Sequence, residues 1–440
     1  ADFPKWQGEC PACGAWNTLQ EFVVDPAMPK SRSAERSGFS GQLSEVRQLN
    51  EIALEDSPRI SAGMDELDRV LGGGLVPGSA ILLGGHPGAG KSTLLLQVLC
   101  RLADREKCFY ITGEESLAQV AMRADRLKLP KEKLRLAAET DVEQILELAR
   151  KEQPRLLVVD SIQVMYLAGL QSAPGSVAQV REGAAALTRF AKQTGTVLLL
   201  VGHVTKDGTL AGPKVLEHMI DCSLMLEGSA DARFRTLRGL KNRFGAVNEL
   251  GVFAMTGEGL KEVKNPSAIF LNRADDIAPG SLVTVVWEGT RPLLVELQAL
   301  VDASHFGNPR RVCVGLEANR LAMLLAVLHR HGGIQVGDQD VFANVVGGVK
   351  VAETAADLAL VLAIVSSFRD RPLGRDLVVF GEIGLSGEIR PVPQGQERLY
   401  EAVKHGFKRA IIPKANKPRQ LPDGVEVIAV STLAEALEQL

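Results

Sequence analysis

Only six cysteines are spread over the 440 residues, and four of them, Cys100, Cys108, Cys222 and Cys313, have no close partner in the sequence. That scarcity excludes a disulfide-stapled scaffold and points to a reducing cytoplasm. No apolar run approaches the roughly 20 residues that a bilayer-spanning helix needs; the stretches 197–201 and 359–365 are among the longest. Residues 1–8 carry no basic segment followed by an apolar one, so nothing reads as a secretory signal, and a cytoplasmic protein with no membrane partner is expected. An excess of one charge is also missing: 50 Lys and Arg stand against 53 Asp and Glu, a net charge of −3. No global field draws the molecule to a polyanion, and any nucleic-acid contact falls to local basic loops. What the chain does have is bulk. With 45% hydrophobic and 23% charged residues over this length, it can build two or three globular domains.

Changes of texture place the boundaries. Residues 1–28 hold the pair Cys10-Pro-Ala-Cys13 between Trp6 and Trp16, and a stretch rich in Ser, Arg, Gly and Pro then opens a linker over 29–58. From 59 to 265, short apolar segments at 80–84, 108–112, 155–160, 196–202 and 222–227 alternate with amphipathic helical patterns. That alternation predicts an α/β domain on a parallel sheet covered on both faces. From 266 to 440, alternating residues over 281–301, helical patterns at 317–330 and 355–368, and a strand-like run at 376–383 predict a separate α+β domain.

Gly85-His86-Pro87-Gly88-Ala89-Gly90-Lys91-Ser92 fits the G-x-x-x-x-G-K-[ST] pattern, with an apolar strand before it and a helical run from Thr93 after it. Glycines let successive backbone N–H groups converge on phosphate oxygens, and the helix N-terminus adds its positive end. Lys91 then reaches the β and γ phosphates while the Ser92 hydroxyl serves Mg²⁺. The apolar run 156–159 ends in Asp160, where a carboxylate can hold the same Mg²⁺. The strand 109–112 leads into Glu114 and Glu115, at the edge where ligands of α/β sheets bind. Glu114, nearer the strand, is the candidate to activate an attacking water; the alternative is that both acids only favour the start of the next helix. Lys241-Asn242-Arg243-Phe244-Gly245 reads as a turn after the strand-like 236–240. Its two cations can reach a γ phosphate across a subunit boundary, as an arginine finger does, or simply decorate an exposed basic hairpin.

Taken together these motifs resemble the RecA-like ATPase superfamily and, more narrowly, the bacterial RadA (Sms) family. The likeness rests on the Cys pair, the 63–79 lead-in with its Gly72-Gly73-Gly74 run, the phosphate loop and the Lys-Asn-Arg-Phe-Gly pentapeptide. It implies a RecA-like P-loop NTPase core with a parallel sheet, a Lon-protease-like (ribosomal S5-like) α+β C-terminal domain and an N-terminal zinc module that is truncated here. It further implies a homo-oligomeric ring, hexameric, that hydrolyses ATP to ADP with Mg²⁺ on single-stranded or branched DNA. Such a ring would promote branch migration and strand exchange beside the recombinase RecA. By the same resemblance Lys241 and Arg243 act in trans, and His203 occupies the position of a γ-phosphate sensor, although a His at a strand end is also an ordinary hydrogen-bonded residue. The loops 168–176 and 205–214 resemble the two DNA-binding loops of the superfamily, and neither carries a dense basic cluster or many aromatic residues.

Two departures from the family pattern bear on chemistry. Its zinc module uses two Cys-x-x-Cys pairs, whereas this chain shows Cys10 and Cys13 only; a closed site wants four ligands, so Zn²⁺ is expected in an intact protein that carries the other pair upstream. A Lon-type protease, the rival reading, needs a Ser nucleophile and a Lys base. Here the corresponding positions are Ala355 and Gln396, so no dyad remains. A third reading is a nucleotide-switched RecA-like scaffold or autokinase. Ten cations of the C-terminal region, Lys350, Lys404 and Arg409 among them, line a DNA path or make up a solvated face.

Overall fold

The computed structural model describes residues 58–203, 216–228, 233–267, 271, 278–304 and 308–440, all within one compact unit, Ala53–Leu440. The Cys10–Cys13 pair, the 29–57 part of the linker and the whole second loop (205–214) lie outside the described residues.

Two sheets organise the unit. The first is built from α1 (Asp65–Leu71), β1 (Ala80–Gly85), α2 (Lys91–Leu102), β2 (Cys108–Thr112), α3 (Leu117–Arg126), β3 (Arg135–Ala138), α4 (Val142–Glu152) and β4 (Leu156–Asp160). It continues with α5 (Val177–Thr194), β5 (Val197–His203), β6 (Cys222–Glu227), β7 (Phe234–Asn242), β8 (Leu250–Thr256) and β9 (Gly259–Glu262). The strand order is β3-β2-β4-β5-β1-β6-β7-β8-β9. The six strands from β3 to β6 run parallel, and their middle members are buried on both faces, which is why they read as unbroken apolar runs. An antiparallel meander, β7 to β9, then extends the sheet. Local caps fix where the helices begin: Ser116, Asp141 and Ser176 accept backbone N–H bonds at the starts of α3, α4 and α5.

The second sheet has the order β12-β13-β11-β10-β14-β17-β18. Its elements are β10 (Ser281–Glu288), β11 (Arg291–Ala303), β12 (Arg311–Val314), α6 (Ala318–Gly332), β13 (Gln339–Val345), α7 (Asp357–Phe368) and β14 (Leu377–Val379). They are followed by β15 (Glu382–Ile383), β16 (Ile389–Arg390), α8 (Gly395–Lys404), β17 (Arg409–Pro413), β18 (Glu426–Val430) and α9 (Leu433–Leu437). The run expected as one strand over 376–383 is therefore broken: β14 joins the large sheet and β15 pairs with β16. The break falls at Gly381, where a Cβ would meet Ile389 and Pro413 at 3.2 Å. No helix among the described residues is long and apolar enough to cross a membrane.

The two sheets share a core. Leu250 and Val252 of β8 pack into the cluster formed by Leu282, Leu293, Val295 and the apolar run 358–365 of α7. At the same junction Arg291 donates to both carboxylate oxygens of Glu66, at 3.0 and 2.9 Å, and to the Leu250 carbonyl at 2.9 Å. Arg238 pairs with Glu288 at 2.6 Å.

The segments aligned on the protease pattern do meet, through an ion pair rather than a dyad. Arg398 is fully buried, donates to the Val285 carbonyl at 2.7 Å, and pairs with Glu353. Ala355 is buried in an apolar cluster and Gln396 is exposed. Replacing Arg398 by Met is expected to cost about 3 kcal/mol, the lower end for breaking a buried pair, since Glu353 keeps 26% of its side-chain surface in water. A urea melt of the variant checks this, and an unshifted midpoint would show that the pair contributes nothing.

Candidate nucleotide site

The phosphate-loop sequence bridges β1 and α2 at the carboxyl edge of the parallel strands. Gly90 is the N-cap of α2, with φ at 106°, a region that favours glycine. A Cβ there would also sit 2.9 Å from Met255 Cε. Unlike α3, α4 and α5, α2 has no side-chain cap, and its first turn carries no acid. Its first N–H groups, those of Lys91, Ser92 and Thr93, lack intrahelical partners, which makes this end of the helix an anion-binding terminus.

Lys91 is buried, and its Nζ donates to the Gly85 carbonyl at 2.9 Å and the His86 carbonyl at 3.1 Å. His203 Nδ1 lies 3.3 Å from the same nitrogen. Burial pulls the Lys91 pKa down, and the charges of Asp160 and Glu114 oppose that pull. A cation is thus held beside two carboxylates at the strand edge, where an anionic ligand would restore its preference for the charged form.

His203 ends β5, and its Nε2 is 3.4 Å from Glu114 Oε1. Ser161 donates its hydroxyl to the same Glu114 oxygen. Asp160, at the end of β4, is nearly buried and accepts the Tyr110 hydroxyl at 2.5 Å. Burial, reinforced by the Asp160 charge, pushes the Tyr110 pKa well up, so that phenol stays a donor. Lys91, His203, Glu114 and Asp160, read separately from sequence, therefore converge. Glu115 does not join them: its carboxylate pairs with Arg123 of α3.

Three further side chains near this cluster belong to no sequence motif. Tyr110 looked like one more apolar strand residue, Ser161 like the end of an apolar strand, and Gln163 like part of a loop. In the fold Gln163 Nε2 reaches the His203 carbonyl at 3.5 Å. Tyr110 stands two residues before Thr112 on the same face of β2, and Thr112 pairs with Asp160 of β4.

Lys241 and Arg243 lie elsewhere. Lys241 and Asn242 are the last residues of β7, not part of a turn, because they pair with Ser223 and Cys222 of β6 across a bulge. Ile81 faces Cys222 while Gly85 faces Leu226, so the pentapeptide sits at the opposite edge of the sheet from the chain's own phosphate loop. Lys241 Nζ donates to the carbonyls of Glu217 and, at 2.7 Å, Ile220. Arg243 pairs at 2.9 Å with the buried Asp221, which also accepts Lys192 of α5 at 3.1 Å. The pentapeptide and the glycine-rich lead-in touch: a Cβ on Gly245 would come within 2.8 Å of Gly72 Cα, and Asn242 donates to the Val70 carbonyl at 3.3 Å.

The loop 168–176 is pinned from α5. The buried Gln179 accepts the Leu167 N–H at 2.8 Å and donates to the carbonyls of Leu167, Leu170 and Ser172. The loop 168–176 contains neither Lys nor Arg. On the second sheet, Lys350 and Arg409 stand 3.9 and 3.5 Å from acids, and Lys404 3.6 Å, as solvated faces do.

Comparison with known proteins agrees with this geometry. Residues 48–209 match the model of an AAA domain, 322–416 that of the ChlI subunit of Mg-chelatase, and 1–21 that of a rubredoxin metal binding domain. The last match bears on Cys10 and Cys13 and supports zinc at the N-terminus. The chain is 67% identical to DNA repair protein RadA of Salmonella typhimurium and 66% identical to that of Escherichia coli, covering 99% of this chain and 95% of each relative. It is 48% identical to DNA repair protein RadA of Bacillus subtilis over the same shares. With a nucleotide-using AAA domain and full-length likeness of this degree, the chain belongs to the RadA family of DNA repair proteins.

Proposed function

We propose that the protein is a DNA-dependent ATPase that works as a ring, of six subunits, and drives branch migration and strand exchange at recombination intermediates on single-stranded or branched DNA. The observation that carries the ATPase half is the buried Lys91 amine beside an uncapped helix terminus. In this reading the loop from Gly85 to Gly90, with its intervening His86, Pro87, Gly88 and Ala89, wraps the triphosphate. The N–H groups of Lys91, Ser92 and Thr93 and the Lys91 ammonium bind it, and Glu114 orients and deprotonates the attacking water. Ser92 and Asp160 would hold Mg²⁺, which offsets phosphate charge when bound. His203, bonded to both Lys91 and Glu114, senses whether the γ phosphate is present.

Position supports the ring. Asn242, between Lys241 and Arg243, stands about 13 Å along the strands, four residues at roughly 3.3 Å each, from the phosphate loop of the same chain. The two cations serve a neighbour's pocket more readily than their own, so turnover depends on assembly. Both cations grip residues 217–221, directly after the second loop, so movement at a subunit boundary reaches the loop assigned to DNA. The recombinase RecA is the partner this reading names. Peptidase chemistry has no place in it, because Ala355 offers no nucleophilic atom.

The test is the ATPase rate with and without single-stranded DNA across a salt series. Stimulation that fades as salt rises is expected, because local phosphate contacts release counterions. A rate indifferent to DNA at low salt would sink the proposal.

A further inference from the structure

The largest fully buried side chain of the first sheet is an arginine that no motif marks. Arg235, on β7, is 1% exposed. Its Nε donates to the Ala89 carbonyl at 3.0 Å, and one terminal nitrogen donates to the Phe234 carbonyl at 3.0 Å. Room for it is built in: a Cβ on Gly228, the residue after β6, would lie 2.6 Å from Arg235 Cδ. Burying a guanidinium is costly, and here the burial depresses its pKa. So costly a group set beneath a loop suggests a task there.

The planar peptide supplies that task. In a trans peptide the carbonyl of Ala89 and the N–H of Gly90 point in opposite directions. Fixing the Ala89 carbonyl on the buried guanidinium therefore turns the Gly90 N–H away from the core. The same guanidinium places positive charge under the loop in a region poorly screened by salt. We propose that Arg235 is a positioning residue for the ATPase reaction, which holds the phosphate loop in its anion-binding shape before nucleotide arrives. The inference rests on the assignment of the Lys91 loop as the nucleotide site.

The experiment compares full-length wild type with Arg235→Met, Arg235→Lys and Lys91→Ala. It measures the melting temperature without nucleotide, the Kd for Mg-ADP, and kcat and KM for ATP. Arg235→Met is expected to raise Kd and KM about tenfold or more, the loss of a charge-assisted bond, with a smaller change in kcat. Arg235→Lys keeps a charged donor without the planar fork and should fall between; it also answers the question if the Met variant does not fold. Either variant, folded, with wild-type Kd and KM overturns the proposal. So does a fall in kcat at unchanged KM that merely tracks lost stability, since a purely structural arginine gives that result. If instead Lys91→Ala retains full turnover, the nucleotide assignment itself has failed, whatever Arg235 does.

Discussion

Lys91→Ala should abolish ATP turnover, lowering kcat by about three orders of magnitude or more. Lys91 Nζ already rests on two loop carbonyls, at 2.9 and 3.1 Å, so no large rearrangement is needed for it to meet a phosphate in the same loop. Alanine removes a positive charge from a buried place where water cannot substitute for it. The fold should survive, because burial already disfavours the ammonium there. Steady-state hydrolysis with the melting temperature as control checks this. Turnover at the wild-type rate would show that the loop is not the catalytic one.

Glu114→Gln is expected to lower kcat by about a hundred- to ten-thousandfold while leaving nucleotide affinity nearly unchanged. The amide keeps the size of the side chain and can still meet the Ser161 hydroxyl, but it cannot take a proton from water. Glu115→Gln is the matched control. That carboxylate is engaged with Arg123 and stands apart from Lys91 and His203, so its loss should barely alter the rate. Equal effects of the two substitutions, or none from Glu114→Gln, would remove Glu114 from the reaction.

How far the sequence speaks for itself depends on the kind of signal. β2 and β6 matched their expected spans, and β1, β4 and β5 agreed to within a residue at each end, because parallel strands buried on both faces must be continuously apolar. β3 escaped because Arg135–Ala138 is half exposed, short and weakly apolar. β7 was seen only in its middle, since its outer residues include the cations Arg235 and Lys241, and a strand carrying buried charge breaks the pattern on which strand reading depends. The site divides the same way. The phosphate loop and the acids at strand ends are local in sequence and could be read. Tyr110 against Asp160, Gln163 against His203 and Arg235 against Ala89 are pairings across strands, visible only once register is known. The lead-in glycines and the pentapeptide were read as two signatures. The contact between Gly72 and Gly245 makes them halves of one packed joint.

The sharing of one core by both sheets constrains how the molecule can be dissected. Cutting the polypeptide near residue 265 to isolate the motor would strip the cover from Leu250 and Val252 and take away the guanidinium that holds Glu66. Such a fragment would begin life sticky, and a lost activity in it would report on the wound rather than on what the missing half does. Point changes in the intact polypeptide are the cleaner scalpel.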